Sequence, residues 1–167
     1  MYEYSFIPQP KNKCAQFLCL LGFAVGFGFF YAANLFKPPV VYQTVGVCFL
    51  VVAVFAATRY LVKQYAYSTT DKGFQGYDFV INETNGKKST VVCRISIDEI
   101  IEFCLAERGV GRKLRKDKPI CFDYCPEMFP KGAYYIKASL PEGVALIKFC
   151  PDEKMTAILN ALLERNG

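Results

Sequence analysis

Uncharged, mostly apolar residues run without interruption from Cys14 to Phe36 and again from Val40 to Thr58. Beyond Lys63 the pattern changes to short alternating segments separated by turn residues. The first pattern predicts helices in hydrocarbon and the second predicts antiparallel strands. A helix over 14–36, at ~1.5 Å per residue, covers a ~30 Å hydrocarbon core with room to tilt. Lys37-Pro38-Pro39 breaks it, because neither proline donates a backbone hydrogen bond and each disfavours helical geometry in the residue before it. The second span extends to Val62 when the Arg59 guanidinium snorkels to the headgroups.

So short a turn makes the two spans an antiparallel hairpin with both chain ends on one side. Lys11 and Lys13 before the first span and Arg59 and Lys63 at the end of the second, against Lys37 in the turn, put that side in the cytoplasm. The expected organisation is a cytoplasmic N-terminal segment 1–13, a transmembrane hairpin 14–62 (spans 14–36 and 40–62), and a cytoplasmic domain 64–167. The expected location is the cell membrane, crossed twice. A signal peptide shares the two lysines before an apolar run, but this run exceeds a usual h-region and no A-x-A site follows it. Gly22-x-x-x-Gly26 is a helix-packing motif, serving either a second copy or another membrane helix, or the hairpin's own close packing.

In the C-terminal part, strands are predicted at Tyr65–Thr70, Phe74–Glu83, Lys88–Ile97, Ile101–Glu107, Pro119–Cys125, Ala133–Leu140 and Val144–Cys150. Asn85-Gly86 and Pro141-Glu142-Gly143 carry the chemistry of tight reversals, so the second and third strands pair, as do the sixth and seventh. Pro151-Asp152-Glu153 opens a helix whose Met155, Ile158, Leu159, Leu162 and Leu163 share one apolar face.

Seven antiparallel strands and a C-terminal helix are the element order of the pleckstrin-homology-like (PH-like) barrel. Residues 94–103, Arg-Ile-Ser-Ile-Asp-Glu-Ile-Ile-Glu-Phe, resemble the third-to-fourth strand passage of bacterial PH-like domains. That family is also known for a short membrane hairpin ahead of the domain. The resemblance covers 64–167 and implies a small antiparallel β-barrel; a split barrel or sandwich is the alternative. In eukaryotic relatives, inositide recognition uses basic residues around the first hairpin. Here residues 68–73 offer only Lys72, so that property does not carry over.

Composition narrows the chemistry. The chain has no histidine, which removes the commonest general base and a principal zinc ligand, and no phosphate-binding loop motif. The net charge of +5 is spread along the chain and gives no nucleic-acid footprint. The eight cysteines (14, 19, 48, 93, 104, 121, 125 and 150) read as small buried hydrophobes of a reducing compartment. A thiolate site would need Cys93, Cys104 or Cys150 to converge on Cys121 and Cys125. Asp98, Glu99 and Glu102 read as solvated turn carboxylates rather than an acid–base pair.

The sharpest polar feature lies between two strands, where Arg108, Arg112, Lys113, Arg115, Lys116 and Lys118 make a long basic loop. It is either a solvated connection or a surface for anionic headgroups, each basic side chain near a membrane contributing about 1 kcal/mol. The expected function is a membrane-anchored, non-enzymatic binding or scaffold module without metal or cofactor. Its domain would meet the anionic membrane surface, a protein partner, or a second copy of the chain through the spans. The alternative is an accessory subunit of a larger membrane complex, associating through the spans.

Overall fold

The computed structural model describes residues 3–9, 13–73, 76–107, 109–115 and 118–166. The chain forms two compact units, Pro10–Lys63 and Met1–Gln9 together with Gln64–Gly167.

In the first unit, α1 (Cys14–Ala32) and α2 (Pro39–Ala57) are both helices long and apolar enough to cross a membrane; a π-helical turn, Thr58–Val62, extends the second to Val62. The first helix stops four residues short of the expected Phe36. The amides of Asn34 and Leu35 bond the carbonyls of Tyr31 and Ala32, which tightens the chain into a turn ahead of Pro38 and Pro39. Pro39 opens α2, where its missing N–H costs nothing. The flanks turned away from the partner helix are apolar and open: Phe17, Leu20, Phe27, Tyr31, Val52 and Phe55 are all exposed.

Among the described residues, the second unit contains eight strands in two four-stranded sheets. The first sheet is β1 (Tyr4–Phe6), β2 (Lys63–Asp71), β3 (Tyr77–Asn85) and β4 (Lys88–Ser96), in that order. The second comprises β5 (Ile100–Leu105), β6 (Ile120–Asp123), β7 (Tyr134–Leu140) and β8 (Gly143–Phe149), in the order β5-β7-β8-β6. A short helix α3 (Val110–Leu114) lies between β5 and β6, and α4 (Glu153–Asn166) closes the chain. Both predicted hairpins form, Asn85 pairing with Lys88 and Leu140 with Gly143. Gly86, at φ +62°, takes the first central position of its two-residue turn, where a side chain would be strained.

Three features differ from expectation. The seven predicted strands are joined by β1, which pairs antiparallel with β2 through Tyr4↔Thr69, Ser5↔Ser68 and Phe6↔Tyr67. The second sheet is mixed rather than wholly antiparallel, because β6 runs parallel to β8, Ile120 level with Ala145 and Asp123 with Lys148. The connection after β6 holds Pro126 and Pro130 and is too long for a hairpin, so β7 pairs on the far side of β8. Third, the sheets do not close into a barrel: among the described residues no ladder joins one sheet to the other. Phe74, the expected start of β3, lies outside the described residues.

Apolar faces of both sheets and of α4 share one core. Tyr67, Phe79, Ile81 and Ile95 come from the first sheet, Ile136, Ile147 and Phe149 from the second, and Met155, Leu159 and Leu162 from α4. The Phe149 ring stands 5.0 Å from Phe79 and 5.3 Å from Tyr67, pinning the two sheets together.

Candidate functional site

The basic stretch contains a helical turn rather than loop throughout. Gly109, at φ +96°, starts α3, and Leu114 is buried beneath it. The helix lies tight on β7: a Cβ at Gly111 would come within 2.9 Å of the Tyr135 hydroxyl. A side chain here would push the Tyr135 ring aside. Arg112, Lys113, Arg115 and Lys118 are all exposed on this segment, while Arg108 and Lys116 lie outside the described residues. Lys113 sits close enough to Cys104 to act on it, yet burial dominates and raises that thiol's pKa.

A second charged site escaped the sequence reading. Asp78, on β3, is wholly inaccessible; Arg94 Nε donates a 2.7 Å hydrogen bond to its Oδ2. Lys72 Nζ lies 2.8 Å from Oδ1, a Coulombic contact rather than a well-aligned hydrogen bond. Burial pushes the carboxyl pKa up, but the two cations outweigh it and hold the group below the ordinary aspartate value. One carboxylate thus ties the β2–β3 turn to β4, and Lys72 is committed to that pairing.

The expected acidic cluster is divided. Glu99 Oε2 accepts the Ser96 amide at 3.0 Å in a capping box that turns the chain from β4 into β5. Asp98 and Glu102 line a shallow cavity of about 280 Å³ with Ile97, Ile100, Ile101, Phe103 and Leu163. Among the described residues, these two carboxylates are the only charged side chains that line it.

Cys121 is exposed while Cys125 is completely buried, so this pair does not present two thiols to one ligand. Cys125 lies instead beside Cys150, two positions beyond the Asp123↔Lys148 pair on parallel strands. A thiol–thiol hydrogen bond and burial push the Cys125 pKa far up. Burial alone lifts Cys93 to about 11. Between the two strands, Tyr67 donates its buried hydroxyl to the Tyr124 carbonyl at 2.8 Å and accepts the Cys150 amide at 3.3 Å. Raised thiol pKa values mark packing positions rather than nucleophiles. Among the described residues, no group of three His, Cys, Asp or Glu is arranged to hold a metal ion.

In the helical pair, Gly22 and Gly26 face α2. A Cβ at Gly22 would stand 3.0 Å from Ala53 Cβ, and one at Gly26 would stand 2.7 Å from Leu50 Cδ2. Gly46 completes the contact from the other helix, with the Gly26 carbonyl 3.0 Å from where its Cβ would be. Gly28 faces open space.

Comparison of the chain with known protein families, with characterised proteins and with solved structures gives no match.

Proposed function

We propose that the protein is a membrane-anchored, non-enzymatic binding module: a two-span hairpin carrying a PH-like domain that presents a basic surface to an acidic partner, whether the anionic membrane surface or a protein. The observation that carries this reading is the β1–β2 ladder. Tyr4 precedes the first apolar helix and Thr69 follows the second, yet they are partners in one sheet. A chain that crosses a bilayer between two adjacent strands must cross an even number of times, and two helices of spanning length satisfy this. The exposed apolar flanks of both helices suit lipid better than water.

Support for the PH-like reading comes from two sheets sharing a core with a C-terminal helix; β1 and the parallel β6 are departures from the simple seven-strand order. Arg112, Lys113, Arg115 and Lys118, exposed around a turn anchored by Leu114, form the candidate partner surface. The positive-inside bias of Lys13, Arg59 and Lys63 favours a cytoplasmic domain. The accessory-subunit alternative draws less support, because Gly22, Gly26 and Gly46 are occupied within the hairpin.

The test uses the full chain in nanodiscs of neutral or anionic lipid, scoring tryptic cleavage at residues 109–115. Protection by anionic lipid, lost in high salt, identifies the bilayer as the partner. Equal cleavage in both lipids rules out the bilayer as the partner of the basic surface.

A further inference from the structure

The first sheet of the domain has two distinguishable ends. Its β2 strand runs away from Lys63, and β3 returns toward it: the Ser68 hydroxyl donates to the Val80 carbonyl, and the Tyr65 hydroxyl donates to Glu83 nearer the start of β2. Strand β1 is antiparallel to β2, so the chain leaves Phe6 for the first helix at the end where β2 begins. Both covalent connections to the helical pair therefore depart from one end of this sheet. The Gly86-Lys87 turn is at that same end, because β3 finishes there at Asn85 and pairs with Lys88 as β4 begins.

The side chains there are cationic: Lys87 and Lys88 are both exposed. Glu83, two positions back on β3, receives the Tyr65 hydroxyl and lies inward of the tip. At the opposite end of the sheet, by contrast, Lys72 is drawn onto Asp78.

We infer that the β3–β4 tip, with Lys87 and Lys88, is the surface on which the domain rests against anionic lipid headgroups. This deepens the membrane-anchored reading and depends on it. Two lysines alone bind anionic lipid weakly, but the two tethers hold the tip at high effective concentration near the surface, where a weak contact suffices. Such a contact acts within the ~8 Å screening length of physiological salt, so it is salt-sensitive.

The chain has no tryptophan, which makes a single introduced one a clean reporter. Ser89→Trp and Thr90→Trp place it at exposed positions just beyond the tip, on opposite faces of β4, so that failure of one to fold leaves the other. Leu20→Trp places it on the open flank of the first helix. The full-length proteins are reconstituted in phosphatidylcholine vesicles with and without phosphatidylserine. Headgroup-nitroxide lipid quenches the tip reporters and acyl-chain-brominated lipid quenches the helix reporter. The inference predicts tip quenching with phosphatidylserine at low salt, lost at high salt and in the Lys87→Gln/Lys88→Gln background. Quenching of Leu20→Trp without tip quenching, or tip quenching equal in both lipids, overturns the inference and leaves the anchor intact. No quenching of Leu20→Trp overturns the anchor reading and the inference with it.

Discussion

The Tyr4 hydroxyl donates a 2.6 Å hydrogen bond to Asp152 Oδ2, latching the strand before the first helix to the residue that opens the last one. The same carboxylate accepts the Met155 amide through Oδ1 at 2.9 Å and so caps α4, while the Lys154 ammonium stands 4.5 Å from the centre of the Tyr4 ring. The N-terminal segment is thus part of the domain's structure, joined to it at both a sheet edge and a helix cap.

Asp152→Ala removes both the latch and the cap, and Tyr4→Phe removes only the latch. Loss of the cap alone costs about 1 kcal/mol. Asp152→Ala should therefore lower the melting temperature of the domain more than Tyr4→Phe. The double variant should melt with Asp152→Ala, since Tyr4 then has no carboxylate to lose. Thermal melts followed by tyrosine near-ultraviolet circular dichroism check the order; equal and additive effects would deny the shared carboxylate.

Asp78 gives the domain an acid-sensitive element. Its folded pKa lies below the ordinary aspartate value, so its stabilising effect is complete above the unfolded pKa and disappears as pH falls through the folded one. Asp78→Asn should cost about 1–2 kcal/mol at neutral pH, a figure reduced because Lys72 and Arg94 are themselves partly solvated. It should also flatten the part of the stability profile below about pH 4 that this carboxyl supplies. Urea midpoints of wild type and variant at neutral and acidic pH test both statements.

Close helix packing predicts opposite fates for two glycines. Gly46→Ala brings a methyl within 3.0 Å of the Gly26 carbonyl and 3.1 Å of the Phe30 ring, and overpacking of this kind costs about 1–3 kcal/mol. Gly28→Ala meets nothing within 4 Å and should be neutral or slightly stabilising, since alanine is the better helix former. Thermal unfolding in detergent micelles distinguishes them.

In the domain core, Leu159→Ala should cost about 2–5 kcal/mol, because Leu159 is 1% exposed among residues of both sheets. Leu159→Asp sets an unpaired charge in the same place and should abolish the cooperative melt.

Most of this organisation is written locally. Unbroken apolar runs locate both helices, period-two alternation locates β2 to β8, and the Gly86 and Gly143 turns fix the two hairpins. What escaped the sequence was set by distant partners. Tyr4-Ser5-Phe6 is too short to show a period and becomes a strand only because Thr69, Ser68 and Tyr67 supply its ladder. Ile120–Asp123 reads as a strand, but its parallel direction depends on where β8 lies. Asp78 looks like any polar strand residue until Arg94 and Lys72 converge on it. Leu114, a single apolar residue among cations, was the available hint that the basic stretch folds back onto the domain. Gly22 and Gly26 were visible as a motif, whereas their counterpart Gly46 stands alone in its helix and is recognised only by contact.

Strands from before the first apolar helix and after the second build one sheet, and under the proposed anchoring this puts both chain ends on the same side of the membrane. The direct measurement is protease protection of epitope tags fused ahead of Met1 and after Gly167, in sealed vesicles from which alkaline carbonate does not extract the protein. Under that topology the two tags are cleaved together or protected together in any one vesicle orientation. One tag cleaved while the other stays protected would contradict it.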